Sequence, residues 1–241
     1  EANDVMSGLT DTSSSTSDVF LVDRLSGTPT LVSHAATSPS TTANANSVAS
    51  ALSADGRYVL FWSNATNVIA GQVGSGAFLY DRVTGATVLA SRITGSAVTS
   101  IGSIRDLLLS ADGQTVLFSS SDVDASSGIT DLNEREDVFL FDARAGTVTL
   151  ISRSAATPNA TANAESRPTS LSADGRRTLF HSNASDLVAG APFNGGVYVY
   201  DYPNNLTMQI VHAAGSPATP PKPAGTATGK SAPPPRHTPS R

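Results

Sequence analysis

The stretch LSADGRYVLF, Leu52 to Phe61, returns as LLSADGQTVLF from Leu108 to Phe118 and as LSADGRRTLF from Leu171 to Phe180. The shared aspartates, Asp55, Asp112 and Asp174, are 57 and 62 residues apart. A second marker falls between them: VFLVDR (Val19–Arg24), AFLYDR (Ala77–Arg82), VFLFDA (Val138–Ala143) and VYVYD (Val197–Asp201). A third follows each of these: TPTLVS from Thr28, ATVLAS from Ala86, TVTLIS from Thr147 and TMQIV from Thr207. Three markers that hold phase over four copies identify an internal repeat, and a period of this length indicates a solenoid, a propeller or an array.

Each unit reads as four short strands, a to d. Asp-Gly between apolar alternations is a strong hairpin signal and predicts a two-residue turn between strands a and b. Strand c is the FLYD-type segment, and a short turn containing Gly leads into strand d. Helical periodicity is absent. Strands b and c are apolar at consecutive positions, as in Val59-Leu60-Phe61-Trp62 and Phe78-Leu79-Tyr80. A sheet with one face in water would alternate. Burial on both faces favours small sheets stacked between similar sheets, a β-propeller, over a β-sandwich.

LSADGRYVLF followed by AFLYDRVTGATVLAS resembles the TolB-like, WD-repeat-like propeller blades of secreted and periplasmic bacterial proteins. The resemblance covers Glu1 to His212. It lacks the Trp-Asp dipeptide of true WD repeats, and the units exceed the usual ~40–45 residues. It implies an all-β fold, an extracellular or periplasmic location and, since related propellers bind calcium in such loops, a loop calcium site.

Full four-strand sets begin near Val48, Ser103 and Arg167, and strands c and d alone precede them. The expected architecture is therefore a partial propeller of about three and a half blades and 14 strands over residues 1–212. On this reading the chain starts mid-blade, as a segment of a larger propeller would. The b–c and d–a connections are the long ones, and in a four-stranded meander they emerge on one side, where binding loops usually sit. Two d–a connections share a phrase, TANANS (Thr42–Ser47) and TANAES (Thr161–Ser166). From Ala213 to Arg241 there are eight prolines, four basic residues and no acid, and this part reads as a disordered tail or linker.

Charged residues make up 15% of the chain, against roughly 25% in ordinary globular domains. Residues 1–212 hold 20 acids and 11 arginines, a net charge of −9 that disfavours nucleic acid and anionic membranes. No apolar run reaches the ~20 residues of a membrane span. Cysteine is absent, which removes disulfides, thiolate metal sites and cysteine nucleophiles.

The candidate chemistry is acidic. TDLNERED supplies Asp131, Asn133, Glu136 and Asp137, and TDTSSSTSD supplies Asp11, Ser13 and Asp18. Asp-x-Asn spacing places hard oxygen ligands on one loop, so calcium is the candidate cofactor at Asp131, Asn133, Asp137, Asp11 and Asp18. The alternative is that these residues cap loops. The once-per-blade aspartates Asp55, Asp112 and Asp174 read as structural, and His181 as a filled core position. No nucleophile elbow, phosphate loop or HExxH motif occurs. The expected function is a non-catalytic scaffold of an exported bacterial protein that meets a protein or glycan through its loop face. The alternative is the substrate-binding propeller of a larger hydrolase or lyase.

Overall fold

A computed structural model describes residues 5–12, 15–122, 128–191 and 195–212; the proline-rich segment, and Ser13 with it, lies outside them. Sixteen strands and no helix occur among the described residues. A leading half-blade consists of β1 (Phe20–Val22) and β2 (Pro29–Leu31). A hairpin of β3 (His34–Ala35) and β4 (Ser38–Thr42) follows. Blade one comprises β5 (Ser47–Leu52), β6 (Tyr58–Ser63), β7 (Gly76–Asp81) and β8 (Ala86–Leu89). Blade two comprises β9 (Ile104–Leu109), β10 (Thr115–Ser120), β11 (Asp137–Asp142) and β12 (Thr147–Leu150). Blade three comprises β13 (Ser166–Leu171), β14 (Arg177–Ser182), β15 (Gly196–Asp201) and β16 (Leu206–His212). Each blade is an antiparallel sheet in sequence order, which makes the molecule a partial β-propeller. The fourteen expected strands are there, and β3 and β4 add two inside the first d–a connection.

The repeated turn differs from the two-residue form. Its loop is four residues, Ala54 to Arg57, closed by the Ser53 N–H on Tyr58 O at 2.9 Å. Only the glycines Gly56, Gly113 and Gly175 have positive φ, at 69°, 71° and 68°. The preceding aspartate stays in an ordinary conformation because its carboxylate turns back to the serine. Ser53 Oγ donates to Asp55 Oδ1 at 2.6 Å and accepts the Tyr58 N–H at 2.8 Å. The same bonds recur at Ser110, Asp112 and Thr115, and at Ser172, Asp174 and Arg177. The motif is thus a side-chain-closed loop, and its aspartates are structural.

Blades stack through alternate side chains of strands b and c. Phe61 pairs across the sheet with Phe78, Phe118 with Phe139 and Phe180 with Tyr198, and each pair of rings stacks at 5.5 Å. All three b-strand phenylalanines are fully buried in equivalent places. These rings face the preceding blade. Leu60 and Leu79 face the following one, where they join Phe118, Phe139 and Phe141. Leu117 and Leu140 repeat that role against Phe180, Tyr198 and Tyr200. Burial on both faces explains the unalternating sequence: every residue of β10 is buried. In blade three the outer face is open, and Leu179, Val197 and Val199 are only half-buried. His181, expected in the core, is exposed on that open face, whereas Trp62 is part-buried and Ser119 buried at the equivalent positions.

Candidate functional site

The long connections converge on one face and are tied to each other. Each d–a connection folds back on itself through a bridge: His34 with Thr42, Arg92 with Ser100, Arg153 with Thr161. Each also takes the b–c loop of its own blade as a parallel bridge: Thr10 with Thr41, Val73 with Thr99, Thr130 with Ala160. The shared TANA phrase then reaches forward to the next blade. Asn44 N–H donates to Asn67 Oδ1 at 2.9 Å, and Thr66 N–H to Asn44 Oδ1 at 2.9 Å. Asn163, Asp186 and Ser185 repeat this two blades on, at 2.9 Å for both bonds. The amide side chain of each asparagine closes a reciprocal pair, which is why the phrase recurs. The result is a polar loop face whose connections are bonded to one another.

The five sequence-predicted ligands fall into two equivalent groups beneath this face. Asp137 begins β11 and Asp18 stands two residues before β1, and each accepts a hydrogen bond from a serine two residues past strand d. Ser152 Oγ donates to Asp137 Oδ1 at 2.8 Å, and Ser33 Oγ to Asp18 Oδ1 at 3.2 Å. The same serines accept the N–H of Val138 and Val19, both at 2.9 Å. In blade one Gly76 stands at that position. A Cβ there would lie 2.6 Å from Leu89 Cδ1 and 2.8 Å from Ser91 Oγ, and Ser100 Oγ bonds Ser91 at 3.0 Å instead. Asp137 is fully buried, and desolvation, with smaller contributions from Asp131 and Asp186, pushes its carboxyl up to about 8. Asp18 is raised too, chiefly by desolvation, and its Oδ2 is enclosed without a hydrogen-bond partner.

In the structure these groups bond to neighbouring loop atoms. Asp131 Oδ1 caps its own turn, accepting the N–H of Asn133 and Glu134, both at 2.9 Å, and Thr161 Oγ1 at 3.2 Å. Asn133 turns its NH2 toward Asp137 Oδ2 and the Ala162 carbonyl, while its oxygen takes the Arg135 N–H. Glu136 clamps two blades, with Arg105 at 3.2 Å and Arg167 at 2.8 Å. Among the described residues no group of three or more acidic or histidine side chains is placed to hold a metal. Nor do His34 and His181 join a catalytic set: His34 Nδ1 lies 3.0 Å from Ala35 O, with its ring edge-on to Tyr80.

Sequence reasoning missed the reciprocal Asn pairs and the serine just past strand d in the half-blade and in blades one and two. Both had a signal in the repeated TANA phrase and in the Ser of LVS, LAS and LIS. No protein-family model and no curated protein matches the sequence. Among solved structures the chain is similar to the tricorn protease, at 12% identity and a TM-score of 0.45, over 76% of this chain and 15% of that one. It is also similar to the β-propeller domain of the Trilobed protease from Pyrococcus furiosus, at 11% identity and a TM-score of 0.39, over 68% of this chain and 41% of that one. Porphyromonas gingivalis dipeptidyl peptidase 4 is similar at 13% identity and a TM-score of 0.48, over 83% of this chain and 30% of that one. The chain thus spans well under half the length of each. At these scores the propeller assignment rests on the sheets themselves.

Proposed function

We propose that this chain is a non-catalytic propeller scaffold of an exported bacterial protein, which holds a protein or glycan partner on its loop platform. The observation that carries this reading is the cross-bridging of the loop face. The b–c and d–a connections are bonded by parallel bridges in the half-blade and in blades one and two, and reciprocal Asn pairs reach onward at two of the three junctions. A platform fixed in advance loses little conformational freedom on binding, which favours affinity from modest contacts. Its exposed groups combine amides and hydroxyls with charged side chains such as Asp122, Glu134 and Arg135, which suits a polar partner. The a–b and c–d turns on the opposite side are short and repeat the same closed loops.

The test is to screen the purified chain against a glycan array and against surface proteins in a pull-down, beside a variant carrying Asn44→Ala and Asn163→Ala. The expected result is one class of ligand retained by the chain and lost by the variant at unchanged secondary structure. Binding that survives in the variant, or that maps to the a–b turns, would overturn the reading. The competing reading is the substrate-binding propeller of a larger hydrolase or lyase. It would be supported by a ligand that is the substrate of a catalytic domain encoded in the same reading frame.

A further inference from the structure

The repeated turn does a second job between blades, and the two copies of that contact define what a third must look like. The Ala54 N–H donates to Ala111 O at 2.9 Å, and the Asp112 N–H to Ala173 O at 3.1 Å, so each a–b turn is bonded to the next. Each such turn also seats the first residue of the preceding strand b against the glycine of its own. A Cβ on Gly113 would lie 2.2 Å from Tyr58 Cδ2 and 2.8 Å from Tyr58 Cβ; one on Gly175 would lie 2.0 Å from Thr115 Oγ1. Gly56 has the same positive φ, yet nothing lies within 4 Å of its Cβ position. The glycine that two blades fill is open at the first.

The neighbouring groups are unfilled in the same sense. In all three blades the residue after the c-strand aspartate donates its N–H to the a–b loop: Arg82 to Arg57 O, Ala143 to Gln114 O and Tyr202 to Arg176 O. The corresponding donor in the half-blade is Arg24. In blades one and three that aspartate holds an arginine from the same loop or strand b, Arg57 on Asp81 at 2.7 Å and Arg177 on Asp201 at 3.1 Å. The corresponding acid, Asp23, accepts the N–H of Leu25 and Ser26 from its own turn, and its arginine is Arg82 of the next blade, at 3.6 Å. Strand β1 pairs with β2 on one edge, whereas every other c strand pairs on both. A groove lined by Val22, Asp23, Arg24, Leu52, Asp55 and Gly56 runs along this edge, and Val22 and Leu52 are each about half exposed, at 51% and 53%.

We infer that this groove is a docking site for a β-hairpin of the Ser-x-Asp-Gly type, which adds two strands to β1 and seats the first residue of its second strand on Gly56. Its turn would donate an N–H to Ala54 O, and a basic residue in its loop or second strand would reach Asp23. The hairpin comes from outside the 241 residues. The sequence holds three copies of it, and each is built into its own blade, so a second copy of this chain has none to lend.

A labelled peptide of residues 46–64, added to the full chain and followed by fluorescence anisotropy, tests this. Gly56→Asn is the blocking variant, since asparagine tolerates positive φ while its Cβ occupies the seat. The expected result is saturable binding to the parent chain, at least about tenfold weaker binding to Gly56→Asn, and none for a scrambled peptide. Because an isolated hairpin is poorly ordered, the same residues are also joined ahead of Glu1, with the melting temperature as readout. The extension is expected to raise it in the parent and not in Gly56→Asn. Equal behaviour of parent and variant in both assays would overturn the proposal. So would self-association of the chain that Gly56→Asn alone abolishes, since that would make a second copy the occupant.

Discussion

Asp137 is the most strongly perturbed carboxyl of the loop face. Its carboxyl lies fully buried, bonded to Ser152, with Asp131 and Asp186 as like-charged neighbours. A carboxyl held near 8 in the fold and near 3.8 when unfolded favours the fold where it is protonated. That contribution is complete below about pH 4 and is lost as the pH rises toward 8. Asp137→Asn keeps an acceptor for Ser152 and cannot ionise. It should be more stable than the parent at pH 8, by on the order of 5 kcal/mol, with the gap closing at pH 4. Parallel melting curves across that range would rule out the buried neutral acid. Since the loop oxygens are committed to Asn133, Glu134 and Thr161, about 10 mM calcium is expected to leave the melting temperature unchanged. A rise that Asp131→Ala removes would show that the loop opens to take the ion. Ser110 is the other informative residue: it is buried, donates to Asp112 and accepts from Thr115. Ser110→Ala orphans the Thr115 N–H and should cost about 1–3 kcal/mol, visible as faster amide exchange at Thr115.

At the scale of the element, the four-residue turn carries the stacking of blades as well as the closing of hairpins. Its three glycines share one backbone conformation and differ in surroundings, so substitution separates the two demands. Gly56→Ala meets only the cost of positive φ, about 1–2 kcal/mol. Gly113→Ala meets that cost and a collision with the root of the Tyr58 side chain, which cannot swing away as a side-chain tip could. Overpacking adds roughly 1–3 kcal/mol. In chemical denaturation Gly113→Ala should therefore fall well below Gly56→Ala, with Gly175→Ala beside it. Equal losses at all three would mean that blade stacking does not press on these turns.

The whole molecule is an arc with an open sheet face on blade three. Leu206, Met208 and Ile210 there are between 39% and 50% exposed, beside half-buried Leu179, Val197 and Val199. Large contiguous apolar patches mark interaction surfaces. The 241-residue chain is expected to associate, with light scattering that rises with concentration and falls for Met208→Lys combined with Ile210→Lys. A monodisperse parent that unfolds as a monomer would show that this face is covered from within. The charge pattern supports the same picture, because the b and c strands that face neighbouring blades carry almost none.

Period and patterning were legible from residues alone. Asp-Gly at regular intervals, apolar runs without alternation, and Phe61, Phe118 and Phe180 in one phase determine stacked four-stranded sheets, because local turn chemistry and burial on both faces leave few other arrangements. The one-sided placement of long loops followed from connectivity. What the loops do with their polar groups did not. Asp131 and Asp137 look alike in sequence, yet one caps a turn at the surface and the other is buried and driven toward neutrality. Asn133 offers an oxygen or an amide nitrogen depending on which way its side chain turns. Likewise Gly56 and Gly113 both follow Ser-Ala-Asp, and only the packing of one blade on the next leaves the first seat open and fills the second. Hydrogen-bond direction, desolvation and contact across a gap of some 60 residues are properties of assembled surfaces, so tertiary structure alone decided them.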